Sequence, residues 1–138
     1  MVKSRIRVVI LLFFVSILAL PGCNGDRSEK APTAVLDYLK ALVEMDEVAL
    51  INRSCADWEE DARLELKSFA AVKSSLENPD CQVTGEQDGY VLVNCTGKII
   101  ANYGAEDLEI DISKQTYRVL EEGGEWRMCG YRRVSSKP

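Results

Sequence analysis

Any chemistry in this chain must come from carboxylates, thiols, phenols and indoles, because its 138 residues include no histidine. That absence removes Ser-His and Cys-His nucleophile pairs and imidazole metal sites together. The five cysteines are Cys23, Cys55, Cys81, Cys95 and Cys129. No two stand at C-x-x-C spacing, so zinc is the weaker use for them. Asp107, Glu109 and Asp111 alternate along a β-prone run and could gather a divalent cation, which prefers oxygen ligands. The intervening Leu108, Ile110 and Ile112 supply a buried side, however, and leave those carboxylates as a solvated face. Glu59, Glu60 and Asp61 read as an exposed helical turn, and Asp57 as a carboxylate in the first turn of that helix. Trp58 and Trp126 could line a ligand pocket but sit at core spacing. Arg127, Arg132 and Arg133 with Tyr131 could meet an acidic partner, although a charged closing strand also guards a sheet edge. Two formal glycosylation sequons, Asn52-Arg53-Ser54 and Asn94-Cys95-Thr96, are read as chance. No catalytic, cofactor-binding or metal-binding residue is assigned.

The compartment follows from the first 23 residues. Lys3, Arg5 and Arg7 precede residues 8–20, which are apolar apart from Ser16, in the order of a secretory signal. As a helix, residues 6–20 span roughly 22 Å, short of the ~30 Å hydrocarbon core. The following Leu20-Pro21-Gly22-Cys23 resembles the bacterial lipobox. That resemblance implies cleavage before Cys23, which becomes an acylated N-terminus held in the lipid bilayer. The alternative is an ordinary secreted protein cut nearby, but neither Leu18-Ala19-Leu20 nor Leu20-Pro21-Gly22 makes a good A-x-A site. Asn24, rather than Asp, follows the cysteine, which by analogy with enterobacterial sorting favours the outer membrane. Without the signal, 116 residues remain, with 14 of the 17 basic side chains against 22 acidic ones, a formal side-chain charge of −8. Such acidity argues against nucleic acid as a partner.

The four cysteines after Cys23 are an even set in an exported chain and are expected to form two disulfides. Gln87-Asp88-Gly89 lies between the β-prone runs 81–84 and 90–93 and signals a hairpin. A three-residue loop would set Cys81 opposite Cys95, and a two-residue loop would shift the register by one. Cys81–Cys95 with Cys55–Cys129 is the expected pairing.

These groups need a scaffold. Residues 1–22 are expected as signal peptide, 23–32 as lipidated cysteine and polar tether, 33–134 as one domain and 135–138 as a short tail. Pro32 suits a first helical turn, and Val35, Leu36, Leu39, Leu42 and Val43 then recur at helical spacing. Asp46 can cap a short helix over 47–52. Ser54-Cys55-Ala56-Asp57 has capping-box spacing, and Trp58, Ala62, Leu66, Phe69, Ala70 and Leu76 make one stripe, so a third helix is expected over 55–77, ended by Asn78-Pro79. Beyond it the period becomes two. Residues 90–103 form a long strand, and Leu108, Ile110 and Ile112 alternate next. Tyr117 and Val119 fall on the opposite parity, implying a bulge near 113–116. Glu122-Gly123-Gly124 turns into a closing strand through Trp126, Met128 and Gly130. The expected fold class is α+β, with three N-terminal helices packed on a strongly curved, mostly antiparallel four-stranded sheet.

Residues 38–50, Tyr-Leu-Lys-Ala-Leu-Val-Glu-Met-Asp-Glu-Val-Ala-Leu, and the ending Tyr117-Arg118-Val119-Leu120 through Gly124-Glu125-Trp126 to Tyr131 resemble the nuclear transport factor two-like superfamily. The resemblance spans most of 33–133 and implies a cone of three helices inside a bent sheet, with a pocket at the open end. Enzymatic members, such as ketosteroid isomerases and polyketide cyclases, hold an acid or base and a Tyr or His there. The early strand that often carries their catalytic carboxylate is expected to be missing here, which leaves Asp57 as the nearest counterpart. The expected function is therefore that of a membrane-anchored exported lipoprotein, facing the periplasm, whose domain binds an envelope protein or a small apolar ligand without catalysis. The alternative is a pocket enzyme of isomerase or cyclase type using a buried carboxylate near a tyrosine.

Overall fold

The computed structural model describes residues 24–134; residues 1–22, expected as signal peptide, Cys23 and the expected tail 135–138 lie outside them. Helix α1 runs Asn24–Val43 and so takes in the stretch expected as a tether. The added turns put Ala31 into the core, continuous with Ala34, Val35, Tyr38, Leu39, Ala41 and Leu42. Pro32 therefore lies inside a helix, where it withdraws one backbone donor from the ladder. At its C-terminus, Asp46 N–H reaches Ala41 O and Met45 N–H reaches Leu42 O, with Met45 at φ 58°, a Schellman closure made without glycine. Helix α2, Glu47–Asn52, is capped by Asp46, whose carboxylate accepts from Ala49 N at 2.9 Å.

After α2 the chain makes a single parallel bridge to the last strand. Met128 N–H donates to Arg53 O at 2.7 Å and Cys55 N–H to Met128 O at 2.9 Å. This bridge at Ser54 stands where the early strand was expected to be missing. A 3-10 turn, Ala56–Trp58, leads into helix α3, Glu59–Ser68.

Helix α3 is shorter than expected, because residues 73–77 are strand. Strand β1, Lys73–Gln87, pairs antiparallel with β2, Tyr90–Asn102, and Leu76 stands opposite Ile99. The 13 residues of β2 need a partner along their length, and that pairing overrides the helical spacing of Leu76. Asn78-Pro79, expected as a helix stop, is an irregularity within β1 instead. Gly97 faces it at φ +108°, where a Cβ would lie 2.6 Å from Glu77 O, so only glycine fits that approach.

Strand β3, Asp107–Asp111, and strand β4, Gln115–Glu122, both pair with β2, and β5, Glu125–Arg133, pairs with β4. The sheet thus has five strands rather than four and is not closed. Between β3 and β4 the parity changes through a 3-10 turn, Ile112–Lys114, rather than the expected bulge, with Asp111 accepting from Ser113 N. The β1–β2 hairpin closes on two residues, Asp88 and Gly89, both at positive φ. An extra residue at Thr84 then corrects the register, so Cys81 still stands opposite Cys95. The structure joins Cys81 to Cys95 and Cys55 to Cys129, with Cα–Cα separations of 4.0 and 5.3 Å. The core lies between the α1 stripe, Leu50, Ala62, Leu66 and Phe69 on one side and Val91, Val93, Ile99, Tyr117, Val119 and Met128 of the sheet on the other.

Candidate functional site

The strongest concentration of titratable groups inside the fold surrounds Glu65. On α3 it shares a face with Ala62, Leu66 and Phe69, which carries its carboxylate toward the core. Tyr38, fully buried on α1, donates to Glu65 Oε2 at 2.6 Å, and Tyr131 on β5 donates to Glu65 Oε1 at 3.0 Å. Trp58 Nε1 donates in turn to the Tyr38 hydroxyl at 3.1 Å. Tyr117 on β4 lies directly across from Tyr131, their rings edge to face at 5.7 Å, and its hydroxyl donates to Gln115 Oε1 at 2.8 Å.

Tyr131 reaches this interior because of glycine. Tyr117 opposes Tyr131 while Val119 opposes Met128, so β5 carries one extra residue between them. Gly130 occupies that bulge at φ +96°, with its Cα hydrogen facing the Trp58 ring, where a Cβ would meet it at 2.9 Å. Simple alternation puts Tyr131 on the side opposite Met128; the bulge returns it to the core face.

Burial raises the Glu65 carboxyl above its ordinary value, and the hydrogen bonds from Tyr38 and Tyr131 pull it partly back. Burial first, and then the Glu65 charge, hold the Tyr38, Tyr131 and Tyr117 phenols well above their ordinary range. Such a group can hold a proton at a pH where surface carboxylates cannot. Because the folded value exceeds the unfolded one, the stabilisation is complete below the ordinary carboxylate value of 4.5 and is lost as pH rises through the folded value. Wild-type stability should therefore decline relative to Glu65→Gln between acid and neutral pH, by up to about 1.4 kcal/mol per pH unit at the steepest point. Urea denaturation of both proteins across that range checks it, and a difference that stays flat contradicts a desolvated carboxylate.

Both Glu65 oxygens are occupied by the fold's own phenols, and Tyr38 both donates and accepts. The larger open space lies elsewhere. A groove of about 520 Å³ runs between α1 and β1, floored by Leu36, Val43, Leu76 and Pro79 and rimmed by Asp37, Lys40 and Glu44. Within it, Ser74 Oγ is buried with no hydrogen-bond partner among the described residues.

The residues singled out from sequence are scattered. Asp57 is exposed in the 3-10 turn, apart from the Glu65 cluster. Glu109 pairs with Lys98 at 2.7 Å, Asp107 accepts from Asn102, and Asp111 accepts from Ser113. Among the described residues no group of three or more acidic or cysteine side chains could hold a metal. Trp58 belongs to the Glu65 cluster, whereas Trp126 packs half-buried against the core. Glu59, Glu60 and Asp61 form the first turn of α3. Cys23 lies outside the described residues. Glu65 escaped the sequence reading because a glutamate between Leu64 and Leu66 in a charged helix resembles any solvated one; its i+3 spacing from Ala62 was the available signal.

No family model matches the sequence, and no curated protein does. Solved structures do match in fold. A candidate dehydratase of the NTF2-like family from Streptomyces avermitilis is 14% identical, with a TM-score of 0.54, covering 81% of this chain and 99% of that one. An SEC-C motif containing protein from Rhodopseudomonas palustris is 10% identical, with a TM-score of 0.51, covering 79% and 83%. A cystatin-like protein of unknown function from Nostoc punctiforme is 10% identical, with a TM-score of 0.50, covering 79% and 92%. At these identities the likeness is one of fold, and that fold is the α+β fold of cystatin-like and NTF2-like proteins.

Proposed function

We propose that the protein is a lipoprotein of the bacterial cell envelope, held by acyl chains on Cys23 and facing the periplasm, whose domain binds a small apolar ligand and catalyses no reaction. The observation that carries the binding reading is the contrast between the two sites. Each Glu65 oxygen already accepts a phenol hydrogen bond from the fold itself, while the groove over Leu36, Val43, Leu76 and Pro79 stays open, with Ser74, whose buried hydroxyl has no partner among the described residues, in its lining. Its volume falls in the range of ligand sites, and an apolar lining with a few convergent polar groups is their usual composition. The bonding of all four cysteines after Cys23 supports export to an oxidising compartment.

Two measurements test this reading. Intact mass spectrometry of the mature protein should find acyl mass on Cys23, and Cys23→Ser should release the protein into the soluble fraction. At ~0.8 kcal/mol per buried methylene, two or three chains suffice for stable anchoring. A neutral solvatochromic probe, N-phenyl-1-naphthylamine, should bind the full chain saturably, and Leu76→Glu should weaken it at least tenfold while circular dichroism stays unchanged. No saturable binding of the probe, or equal binding by wild type and Leu76→Glu, would contradict a ligand site in the groove.

One observation favours a second reading, acid-base catalysis by Glu65, namely a carboxyl raised by burial beside a buried tyrosine. That reading needs space for a substrate at the carboxylate, and both of its oxygens are already engaged.

A further inference from the structure

The face of the sheet turned away from the helices carries a second concave site of different chemistry. Residues opposite one another in the register share a face, and Leu92 stands opposite Arg118 and Thr116 opposite Arg132. Together with Tyr90 and Arg133 they line a cleft of about 240 Å³ beneath the β1–β2 turn. Three arginines thus line one small hollow of a chain whose formal net charge is −5.

None of the three has a carboxylate partner among the described residues, where the ion pairs engage Arg53, Arg63, Lys98, Lys114 and Arg127 instead. Arg118 is fixed before any ligand arrives. Its guanidinium carbon stands 5.0 Å from the centre of the Tyr90 ring, and its Nη2 donates to Cys129 O at 3.1 Å. The bulge at Gly130 makes room for it, since a Cβ there would lie 3.2 Å from Nη2. Its Nε is buried and has no acceptor among the described residues. A buried donor without an acceptor is disfavoured, so the Arg118 side chain is held here by its contacts with Tyr90 and Cys129. Arg132 and Arg133 are exposed and can close on that anion from the β5 side. Asp88 also lines the cleft, so one carboxylate opposes three cations and the local balance stays positive.

We propose that this cleft is a binding site for a small soluble oxyanion, a compound bearing a phosphate or a carboxylate group. Guanidinium matches both groups in fork geometry, and the Tyr90 and Leu92 side chains can carry an apolar body attached to the anion. The acidity of the rest of the chain opposes approach to an anionic membrane surface, which favours a free small molecule over a lipid headgroup.

Isothermal titration of the full chain, in nonionic micelles, with inorganic phosphate and separately with citrate tests the proposal. Saturable binding of at least one anion is expected, weakening as sodium chloride is raised. Arg118→Gln should weaken it at least tenfold. Arg132→Gln, at an exposed position that leaves folding intact, should do the same, whereas Arg127→Gln, outside the cleft, should change it less than twofold. Two results would overturn the site: no saturable binding of either anion, or equal affinity in wild type and Arg132→Gln.

Discussion

Replacing Cys55 and Cys129 together by alanine should lower the unfolding free energy by about 4 kcal/mol, against about 3 kcal/mol for Cys81 and Cys95. The two bridges close loops of very different length, with sequence separations of 74 and 14, and loop-closure entropy in the unfolded chain grows with the logarithm of that length. The longer bridge also ties the segment after α2 to β5, beside the bridge that Arg53 and Cys55 make with Met128. The shorter one joins residues that the β1–β2 hairpin already holds opposite each other. Urea denaturation of the two double variants under oxidising conditions measures both losses. Equal losses, or the larger one for Cys81 and Cys95, would mean that loop entropy does not dominate.

Truncating Tyr38 should cost as much or more. Tyr38→Ala removes a fully buried aromatic ring, a change worth about 3–5 kcal/mol, and strips Glu65 and Trp58 of a shared hydrogen-bond partner. Tyr38→Phe separates the two effects. It keeps the ring and loses only the hydroxyl, for about 1–3 kcal/mol, the penalty for leaving buried polar groups unpaired. The Tyr38 hydrogen bond also lowers the Glu65 pKa, so the phenylalanine variant raises it further. Its penalty should therefore be smaller at low pH, with Glu65 protonated, than at high pH, with Glu65 ionised. A penalty independent of pH would place the Tyr38 hydroxyl outside the electrostatics of Glu65.

Much of this architecture is legible from local pattern. Asp46 caps α2, the glycine turns locate both hairpins, and alternation marks β2 over nearly its whole length. What pattern misses is what tertiary pairing decides. Residues 73–77 continue a helical stripe and become strand because β2 extends past the turn and needs a partner. The polar residues after Cys23 join α1, where Ala31 finds a place in the core. The interior site was harder still. Glu65 is one acidic residue among several in α3, and Tyr131 reaches it only because the Gly130 bulge reverses the face of the closing strand. Neither fact can be read from residue types without knowing which strand lies opposite.

On the proposed function, the open groove between α1 and β1 receives a ligand, while the Glu65 cluster serves the fold. One measurement weighs both halves, a titration of N-phenyl-1-naphthylamine into wild type, Leu76→Glu and Glu65→Gln. Wild type and Glu65→Gln should bind alike, within about twofold, and Leu76→Glu should bind at least tenfold more weakly. Loss of binding in Glu65→Gln with retention in Leu76→Glu would contradict this, because it would put the ligand at the half-buried carboxylate.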